Sequence, residues 1–459
     1  MFWGFLFLRT MVPFLKRGTL IKRVLFFLKT KTSSTWAGEV VSFFEAGKAR
    51  MINSGDTAWV LMSAALVLLM TPALAFFYGG MVRRKNVLSV LMQCFIVMCV
   101  LSLHWVLIGY SLSFAPAKGF WGGLQWMGLR GVGLEPYADY AGTIPHQAFM
   151  IYQCMFAIIT PALIIGAFAE RMKFSAFLIF TLLWATFVYA PLCHWVWGIG
   201  GFLRNLGALD FAGGTVVHIN AGIAALVTAI VLGKRTNLAK NVPTPHNMPF
   251  VVLGTGLLWF GWFGFNAGSA LGANGLAVNA FVVTNTAAAA AGLSWALIEW
   301  LHNGKPTIFG LCSGAVAGLV AITPAAGFVS VIPAIIIGLL VSVFCFIAVT
   351  VIKPKFGYDD SLDAFGVHCV GGIWGALATG LFASKAVNAA GANGLFFGNP
   401  KQLLIQLVAV GVTIVYTSIL TIVIYKIVDL FIGVRVDEKS ELMGLDLTQH
   451  RERAYTVLE

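Results

Sequence analysis

The chain has 459 residues, of which 59% are hydrophobic and 10% are charged, and its formal net charge is +12. Soluble domains carry about 25% charged residues, so this composition excludes a cytosolic enzyme, a nucleic-acid-binding protein and a disordered chain. The mean hydropathy of +0.87 predicts an all-α polytopic membrane protein that lies in a lipid bilayer, since each spanning helix needs roughly 20 apolar residues.

The first 50 residues form a basic N-terminal extension. They hold nine Lys and Arg residues against two acidic residues, and their apolar pieces are too short for a signal-peptide core. Met51 follows directly, and we interpret Met51, or a residue near it, as the true start of the chain. The alternatives are a targeting segment and a basic amphipathic helix on the membrane surface.

Eleven apolar stretches follow and predict eleven transmembrane helices. They belong to a membrane domain at residues 55–432, which is followed by a C-terminal tail at 433–459. The stretches lie near residues 58–78, 87–110, 148–168, 174–197, 213–232, 250–268, 278–301, 308–322, 331–352, 364–382 and 403–432.

The charge of the loops predicts the orientation of these helices. Loops after odd-numbered stretches hold eleven Lys and Arg residues, whereas loops after even-numbered stretches hold five. Basic loops stay in the cytoplasm. We therefore expect the protein to lie in the cell membrane, that is, the inner or plasma membrane. Its membrane domain is expected to begin on the outer side, and its tail to lie in the cytoplasm.

Two matching segments lie in the fifth and tenth stretches, GGTVVHINAGIAAL at 213–226 and AFGVHCVGGIWGAL at 364–377. Both contain V-H-x-x-x-G-I, which places His218 and His368 at equivalent positions. Because each half has an odd number of spans, the second half must be inverted. Inverted repeats place their functional site at the interface near the bilayer midplane, so the two histidines are predicted to meet there.

The surroundings of the histidines support this interpretation. A glycine one turn beyond each, Gly222 and Gly372, allows close helix approach, and an aspartate precedes each, Asp210 and Asp363. Charged groups are nearly absent from the stretches, whereas a pathway for a fully charged ion normally has carboxylates or carbonyl rings. Two imidazoles and apolar walls therefore suit a small molecule that is neutral or can shed a proton.

Neither a metal site nor an enzyme is expected. Zinc takes three or four ligands, and apart from Cys369, which follows His368, no cysteine or carboxylate lies within four residues of either histidine. The seven cysteines include no close-spaced pair, and we interpret them as core packers. No nucleophile–base pair and no cofactor loop are evident, so the sequence predicts no cofactor.

Six stretches, in order, resemble the ammonium transporter family, which comprises the Amt and Mep proteins and their Rh relatives. The resemblance covers about residues 55–456 and is closest to the bacterial Amt type. The stretches are FYGGMVRRKNVLS at 77–89, GAFAERMKFSA at 166–176, DFAGGTVVHINAG at 210–222, GWFGFNAGSA at 261–270, DAFGVHCVGGIWG at 363–375 and GLDLTQHRERAY at 444–455.

The resemblance implies a homotrimer with one pore per subunit. Each subunit would have eleven transmembrane helices, of which the first ten form an inverted five-plus-five repeat and the eleventh is long. Ammonium or ammonia is the implied substrate, and methylammonium is a surrogate by size.

The resemblance also implies an outer binding site and a gate. Trp197, Ser269 and Phe156 match the outer ammonium site, where an indole face holds a cation. Phe156 and Phe265 match two stacked rings that gate the pore and strip water from the cation, which favours deprotonation. Taken alone, Trp197 would be read as an interfacial residue and each phenylalanine as core or lipid-facing.

Further residues follow from the same resemblance. His218 and His368 match the twin pore histidines, in which one imidazole donates a hydrogen to the other. Asp210 matches a supporting residue, and its position before the fifth stretch suits an N-cap. Tyr152 and Gln153 are also expected to support the site. Tyr152 stands where many relatives carry Phe, and we expect its hydroxyl to make the outer mouth more polar.

The tail matches the family's cytoplasmic regulatory segment, which implies a PII-type nitrogen-regulatory protein as a partner. Relatives usually have Gly after the tail histidine, where this chain has Arg451. Gly reaches backbone angles that Arg avoids, so this difference argues against the standard tail geometry. The predicted regulatory residues are Gly444, Asp446, His450, Glu452 and Tyr455.

The function predicted from this combination is ammonium transport. Ammonium is recruited at the outer mouth and deprotonated, and ammonia passes a hydrophobic twin-histidine pore with net proton transfer. The first alternative is an electroneutral ammonia channel of the Rh type, which has less need of Trp197 and Ser269. The second is an ammonium sensor. Such sensors often carry an added signalling domain, whereas the predicted tail has only 27 residues.

Overall fold

The computed structural model describes residues 52–238 and 244–455. The interpretation of residues 1–50 lies outside the described residues, as does the end of the tail. Within the described ranges the chain is helical, and β-type pairing is limited to two isolated bridges, Tyr137–Ala141 and Met172–Arg435.

Each of the eleven predicted stretches coincides with a helix. Ten of these helices are long and apolar enough to cross a membrane, and one, with 15 residues, is shorter. In chain order they are α1 Ser54–Met81, α2 Arg84–Phe114, α3 His146–Phe168, α4 Phe174–Leu206, α5 Gly214–Leu232, α6 Met248–Ala270, α7 Gly275–Asn303, α8 Ile308–Ile322, α9 Val331–Phe356, α10 Phe365–Phe382 and α11 Pro400–Ile432.

Short polar side chains start several of these helices. Thr307 accepts a hydrogen bond from the Gly310 amide at 2.9 Å and so begins α8. A side chain in this position satisfies an amide that has no partner within the helix. The same contact is made at the starts of α1, α6 and α7 by Asn53, Asn247 and Asn274. The apolar helices thus have locally encoded ends.

Five short segments widen the helices into π-turns. Two of them, in α5 and α10, contain His218 and His368. Two others lie in α4 and α9, the fourth helix of each half of the chain. Such turns are rare and are frequent at functional sites. The segments are Trp105–Gly109, Ala185–Tyr189, Gly214–Ile219, Ala348–Ile352 and Phe365–Cys369.

The loops that follow odd-numbered helices meet on one side of the helix bundle, here called the tail side. Glu170, after α3, pairs with Arg83 after α1 at 2.7 Å and with Arg235 after α5 at 3.1 Å. Arg235 also pairs with Asp359 after α9 at 2.8 Å. The grouping of odd-numbered loops that the charge pattern predicted is therefore present.

The tail packs against this side through two short helices, α12 Glu438–Met443 and α13 Leu445–His450. Glu441 accepts hydrogen bonds from Arg435 at 2.9 Å and from the Thr236 amide at 2.6 Å. Asp446 accepts one from the Ser89 amide at 2.8 Å. Burial raises the pKa of Asp446 above its ordinary value.

The remaining predicted tail residues lie along the same contact. A Cβ on Gly444, whose φ is +112°, would lie 2.7 Å from Lys85. The His450 ring packs edge-on against Phe174, with the ring centres 5.0 Å apart. Arg451 adopts a φ of +58°, which is the left-handed conformation that Gly adopts more readily than other residues.

The end of the described tail is anchored as well. Tyr455 Oη and His246 Nε2 lie 2.9 Å apart, and the guanidinium of Arg84 lies 5.2 Å from the centre of the Tyr455 ring. Glu452 donates its amide hydrogen to the Asp446 carbonyl at 3.1 Å and exposes its side chain. Arg451 therefore does not prevent the tail from docking.

Candidate functional site

A vestibule of about 250 Å³ opens on the side opposite the tail. It brings together five predicted site residues from α3, α4, α6 and the loop before α5. These are Gln153, Phe156, Trp197, Asp210 and Ser269.

The indole of Trp197 is fixed in the wall of this vestibule. Its Nε1 donates a hydrogen bond to the Asp210 carbonyl oxygen at 2.8 Å, and its ring meets Phe156 edge-on, with the ring centres 5.9 Å apart. Since the N–H is already bonded, the group that the indole can offer a cation is its π face.

The carboxylate of Asp210 holds the start of α5. It is 8% exposed and accepts hydrogen bonds from four successive backbone amides and one hydroxyl. These are the capping contacts expected of Asp210, and they fix the π-turn that contains His218. The donors are the amides of Gly213 at 2.8 Å, Gly214 at 2.5 Å, Thr215 at 2.8 Å and Val216 at 3.2 Å, together with the Thr215 hydroxyl.

Tyr152 does not make the vestibule more polar, so that expectation is wrong. Its side chain is fully buried because the ring packs 5.0 Å from Phe156 and points the hydroxyl at the end of α6. There the hydroxyl lies 2.8 Å from the Phe265 carbonyl oxygen and 3.1 Å from Ser269 Oγ. Ser269 Oγ donates to the same carbonyl at 2.9 Å. Tyr152 thus supports the Ser269 hydroxyl through a hydrogen bond from within the helix bundle.

Two phenylalanine rings close the floor of the vestibule. The centres of Phe156 and Phe265 lie 4.5 Å apart with 47° between their planes, and both side chains are at most 1% exposed. Phe156 lines the vestibule, whereas Phe265 lines a cavity on the other side. The pair separates the two spaces.

The two histidines lie in that second cavity. Their rings are nearly parallel, with centres 5.5 Å apart and 12° between the planes. The cavity has a volume of about 10 Å³, which is near the minimum that one water-sized molecule needs. Its other lining residues are Met70, Leu74, Phe77, Ile159, Leu163, Val217, Leu258, Trp262, Phe265 and Val316.

The imidazole nitrogens have few protein partners. Among the described residues, both ring nitrogens of His218 and Nδ1 of His368 are buried without a hydrogen bond. The expected hydrogen bond from one imidazole to the other is therefore not formed in this structure. Buried polar atoms without a partner are uncommon, and these three mark positions where a small polar molecule can be hydrogen-bonded.

Small residues bring α5 and α10 together at the histidines. A Cβ on Gly222 would lie 2.4 Å from the Cys369 amide nitrogen, and one on Gly372 would lie 3.1 Å from His218 Cβ. Each glycine thus packs against the π-turn of the other helix. The predicted close approach is confirmed.

A third cavity, of about 20 Å³, continues from His368 toward the tail side. Tyr78, Ser313 and Asp363 are among its lining residues. Asp363 pairs with Lys353 at 2.6 Å. A vestibule, a ring pair and two small cavities therefore follow one another from one side of the bundle to the other.

Comparison with known proteins agrees with this arrangement. The model of the Ammonium Transporter Family matches residues 58–455. The chain belongs to the ammonium transporter family. Residues 52–238 and 244–455 contain ten long apolar helices, so it is a multi-pass membrane protein.

Individual members of the family cover nearly the same length. An ammonium transporter of Bacillus subtilis is 57% identical over 404 residues, which is 88% of this chain and 99% of that protein. The crystal structure of Candida albicans Mep2 matches with a TM-score of 0.80 and 38% identity, over 88% of this chain and 91% of that one. A sensor Amt protein matches with a TM-score of 0.79 and 30% identity, over 86% and 98%.

One site residue of this family member was paired wrongly by the sequence analysis. The counterpart of Asp210 is Asp360 rather than Asp363. Asp360 accepts a hydrogen bond from the Phe365 amide at 2.8 Å and so starts the π-turn of α10. It stands eight residues before His368, as Asp210 stands eight before His218. That equal spacing would have identified Asp360 from the sequence alone.

The ion-pair cluster on the tail side of this transporter-family fold was also missed. Burial raises the pKa of Glu170, but Arg83 and Arg235 outweigh that effect and hold the pKa below its ordinary value. Glu170 has a φ of +75° and so turns the chain sharply between α3 and α4. Glu170 and Arg171 lie in the motif GAFAERMKFSA at 166–176, which was the sequence signal for this cluster.

Proposed function

We propose that this protein transports ammonium across the cell membrane. Ammonium enters the vestibule, loses a proton at the ring pair and passes the histidines as ammonia, with net transfer of charge. The observation that carries this proposal is the buried pair of imidazoles in a one-molecule cavity behind the two contacting rings of Phe156 and Phe265. The names of the similar proteins support the same substrate.

Recruitment of ammonium is the task of the vestibule. The fixed Trp197 face can hold a cation with about 0.5–2 kcal/mol, and the Ser269 hydroxyl can accept a hydrogen bond. Gln153 Oε1 is a further acceptor, because it lines the same vestibule and is buried without a partner among the described residues.

Deprotonation follows from the loss of water. Between Phe156 and Phe265 the cation cannot keep its hydration shell, and desolvation favours the neutral amine. The unpaired nitrogens of His218 and His368 then replace part of the hydration of ammonia. Imidazole both accepts and donates a hydrogen, so a ring nitrogen of this pair can accept the proton that ammonium loses, and the pair can pass it onward and make the transport electrogenic.

In this proposal the short helix α8 also crosses the membrane, which brings the number of spans to eleven. Its early residues Phe309 and Ser313 line the cavity near the tail side, whereas Phe328, which follows it, lines the vestibule. The matched π-turns and the equivalent capping by Asp210 and Asp360 support an inverted five-plus-five repeat. We propose that three such subunits associate, each with its own pore.

We further propose that the tail side faces the cytoplasm and that the vestibule faces outward. The basic loops gather on the tail side, as expected for cytoplasmic loops. Residues 433–459 would then form a regulatory segment for a PII-type protein, and residues 1–50 a separate N-terminal extension.

A second candidate is an electroneutral ammonia channel. The wholly apolar surroundings of the imidazoles favour it, since no ionised group lines the cavity that contains both histidines. An ammonium sensor is a third candidate, which the likeness to the sensor Amt protein keeps open.

Ammonium-evoked currents on a solid-supported membrane test the proposal. Proteoliposomes with the wild-type protein should give a saturable current, and the double variant His218→Ala, His368→Ala should lose it. His302→Ala is the matched control, because His302 is exposed and lies at the end of α7. Internal alkalinisation without current would support the electroneutral channel. The absence of both current and alkalinisation would support the sensor.

A further inference from the structure

The position of Arg204 beside the ammonium site has no role in the function described so far. Helix α4 is interrupted at Gly198, and its last segment, Phe202–Leu206, brings Arg204 back to the vestibule. There Arg204 is one of the lining residues, together with Trp197 and Ser269.

The guanidinium of Arg204 is held at two points. Its Nη1 donates a hydrogen bond to the Trp197 carbonyl oxygen at 2.6 Å, and its Cζ lies 5.7 Å from the centre of the Tyr140 ring. A cation over an aromatic face is attracted to it. The Arg204 side chain is exposed, but these two contacts hold its positive charge at the mouth of the vestibule.

No ion pair within the described part of the chain neutralises this charge. In residues 52–238 and 244–455, Arg204 takes part in none of the ion pairs. Two carboxylates line the same vestibule. That of Asp210 is occupied by hydrogen bonds from the start of α5, and Asp139 is exposed.

We infer that Arg204 sets the ammonium affinity of the vestibule, because its fixed positive charge repels the incoming cation and raises the half-saturating ammonium concentration. This inference rests on the proposed function. Like charges in a partly solvated mouth repel each other, and salt screens the repulsion. A structural role would instead depend on the hydrogen bond to Trp197 and would not respond to salt.

The structure separates these two roles. The Trp197 ring is anchored through its own Nε1 to the Asp210 carbonyl, so its placement does not depend on Arg204. Arg204→Lys keeps the charge, Arg204→Gln and Arg204→Met remove it, and Arg204→Glu reverses it. Arg130→Gln is the matched control, since Arg130 is an exposed cation of the loop after α2 and does not line the vestibule.

The experiment measures the half-saturating ammonium concentration from currents of the full chain in proteoliposomes. It compares about 10 mM and about 1 M of an impermeant salt, at which the screening lengths are about 30 Å and 3 Å. At low salt, Arg204→Gln and Arg204→Met should lower this concentration roughly two- to tenfold, and Arg204→Glu should lower it further. Arg204→Lys and Arg130→Gln should stay within about twofold of wild type.

At high salt the difference between Arg204→Gln and wild type should fall below about twofold. Equal affinities of the neutral variants and wild type at low salt would overturn the inference. A shift that Arg204→Lys shares, or that persists at high salt, would overturn it in favour of a positioning role. The absence of any wild-type ammonium response would instead contradict the proposed function, so the two failures are distinguishable.

Discussion

The contact between α5 and α10 leads to a quantitative prediction for Gly222→Ala. The new Cβ would lie 2.4 Å from the Cys369 amide nitrogen and 2.6 Å from its Cβ, where ordinary contacts begin at 3.4 Å. The atoms beneath it are mainly backbone, so the two helices must separate by about 1 Å. Overpacking of this kind costs about 1–3 kcal/mol, and the separation would widen the 5.5 Å spacing of the histidine rings.

The matched control is Gly411→Ala. Gly411 also lies inside a helix, α11, but a Cβ there meets nothing within 4 Å. Both variants gain the same helix propensity of roughly 1 kcal/mol. The difference in stability between them therefore measures the cost of overpacking at Gly222. In detergent, Gly222→Ala should melt at least about 2 °C below Gly411→Ala, and its maximal ammonium current should be lower. Equal melting temperatures together with equal currents would refute the close-packing argument.

Two further changes test the vestibule and the tail. Tyr152→Phe removes the hydroxyl that supports Ser269, a bond worth about 1 kcal/mol, and should raise the half-saturating ammonium concentration by up to about fivefold while the fold is kept. An unchanged value in current titrations would speak against that support. Arg451→Gly relieves the left-handed backbone and should strengthen tail docking by up to about 1 kcal/mol, seen as slower limited proteolysis of the tail. Faster cleavage would contradict this.

The sequence predicted the helices well because each is an apolar run with polar ends. The stretch at 308–322 coincides with α8 to the residue, since Thr307 and the loop after Ile322 mark both ends. The π-turns could not be predicted in this way, because a wider turn leaves the composition of a helix unchanged. Their place became evident only when His218 and His368 were seen in three dimensions.

The site was predicted in part, and its errors have physical causes. Trp197, Ser269 and Phe156 line the vestibule, and both histidines line the cavity behind it. The direction of the Tyr152 hydroxyl depends on a rotamer that sequence does not specify. Asp363 is the aspartate nearest to the repeat motif, whereas the capping contact and the equal eight-residue spacing both identify Asp360. Arg204 approaches Trp197 through a turn that only the folded chain reveals.

The paired rings of Phe156 and Phe265 also have a kinetic consequence. Both are buried and in contact, so on the path proposed above a solute cannot pass between them until a ring rotates away. Such rotations inside a packed core are activated events, and their frequency limits how many molecules can cross each second. The flux through this bundle should therefore saturate and rise steeply with temperature, as in a carrier, even though the path through it is built like a pore.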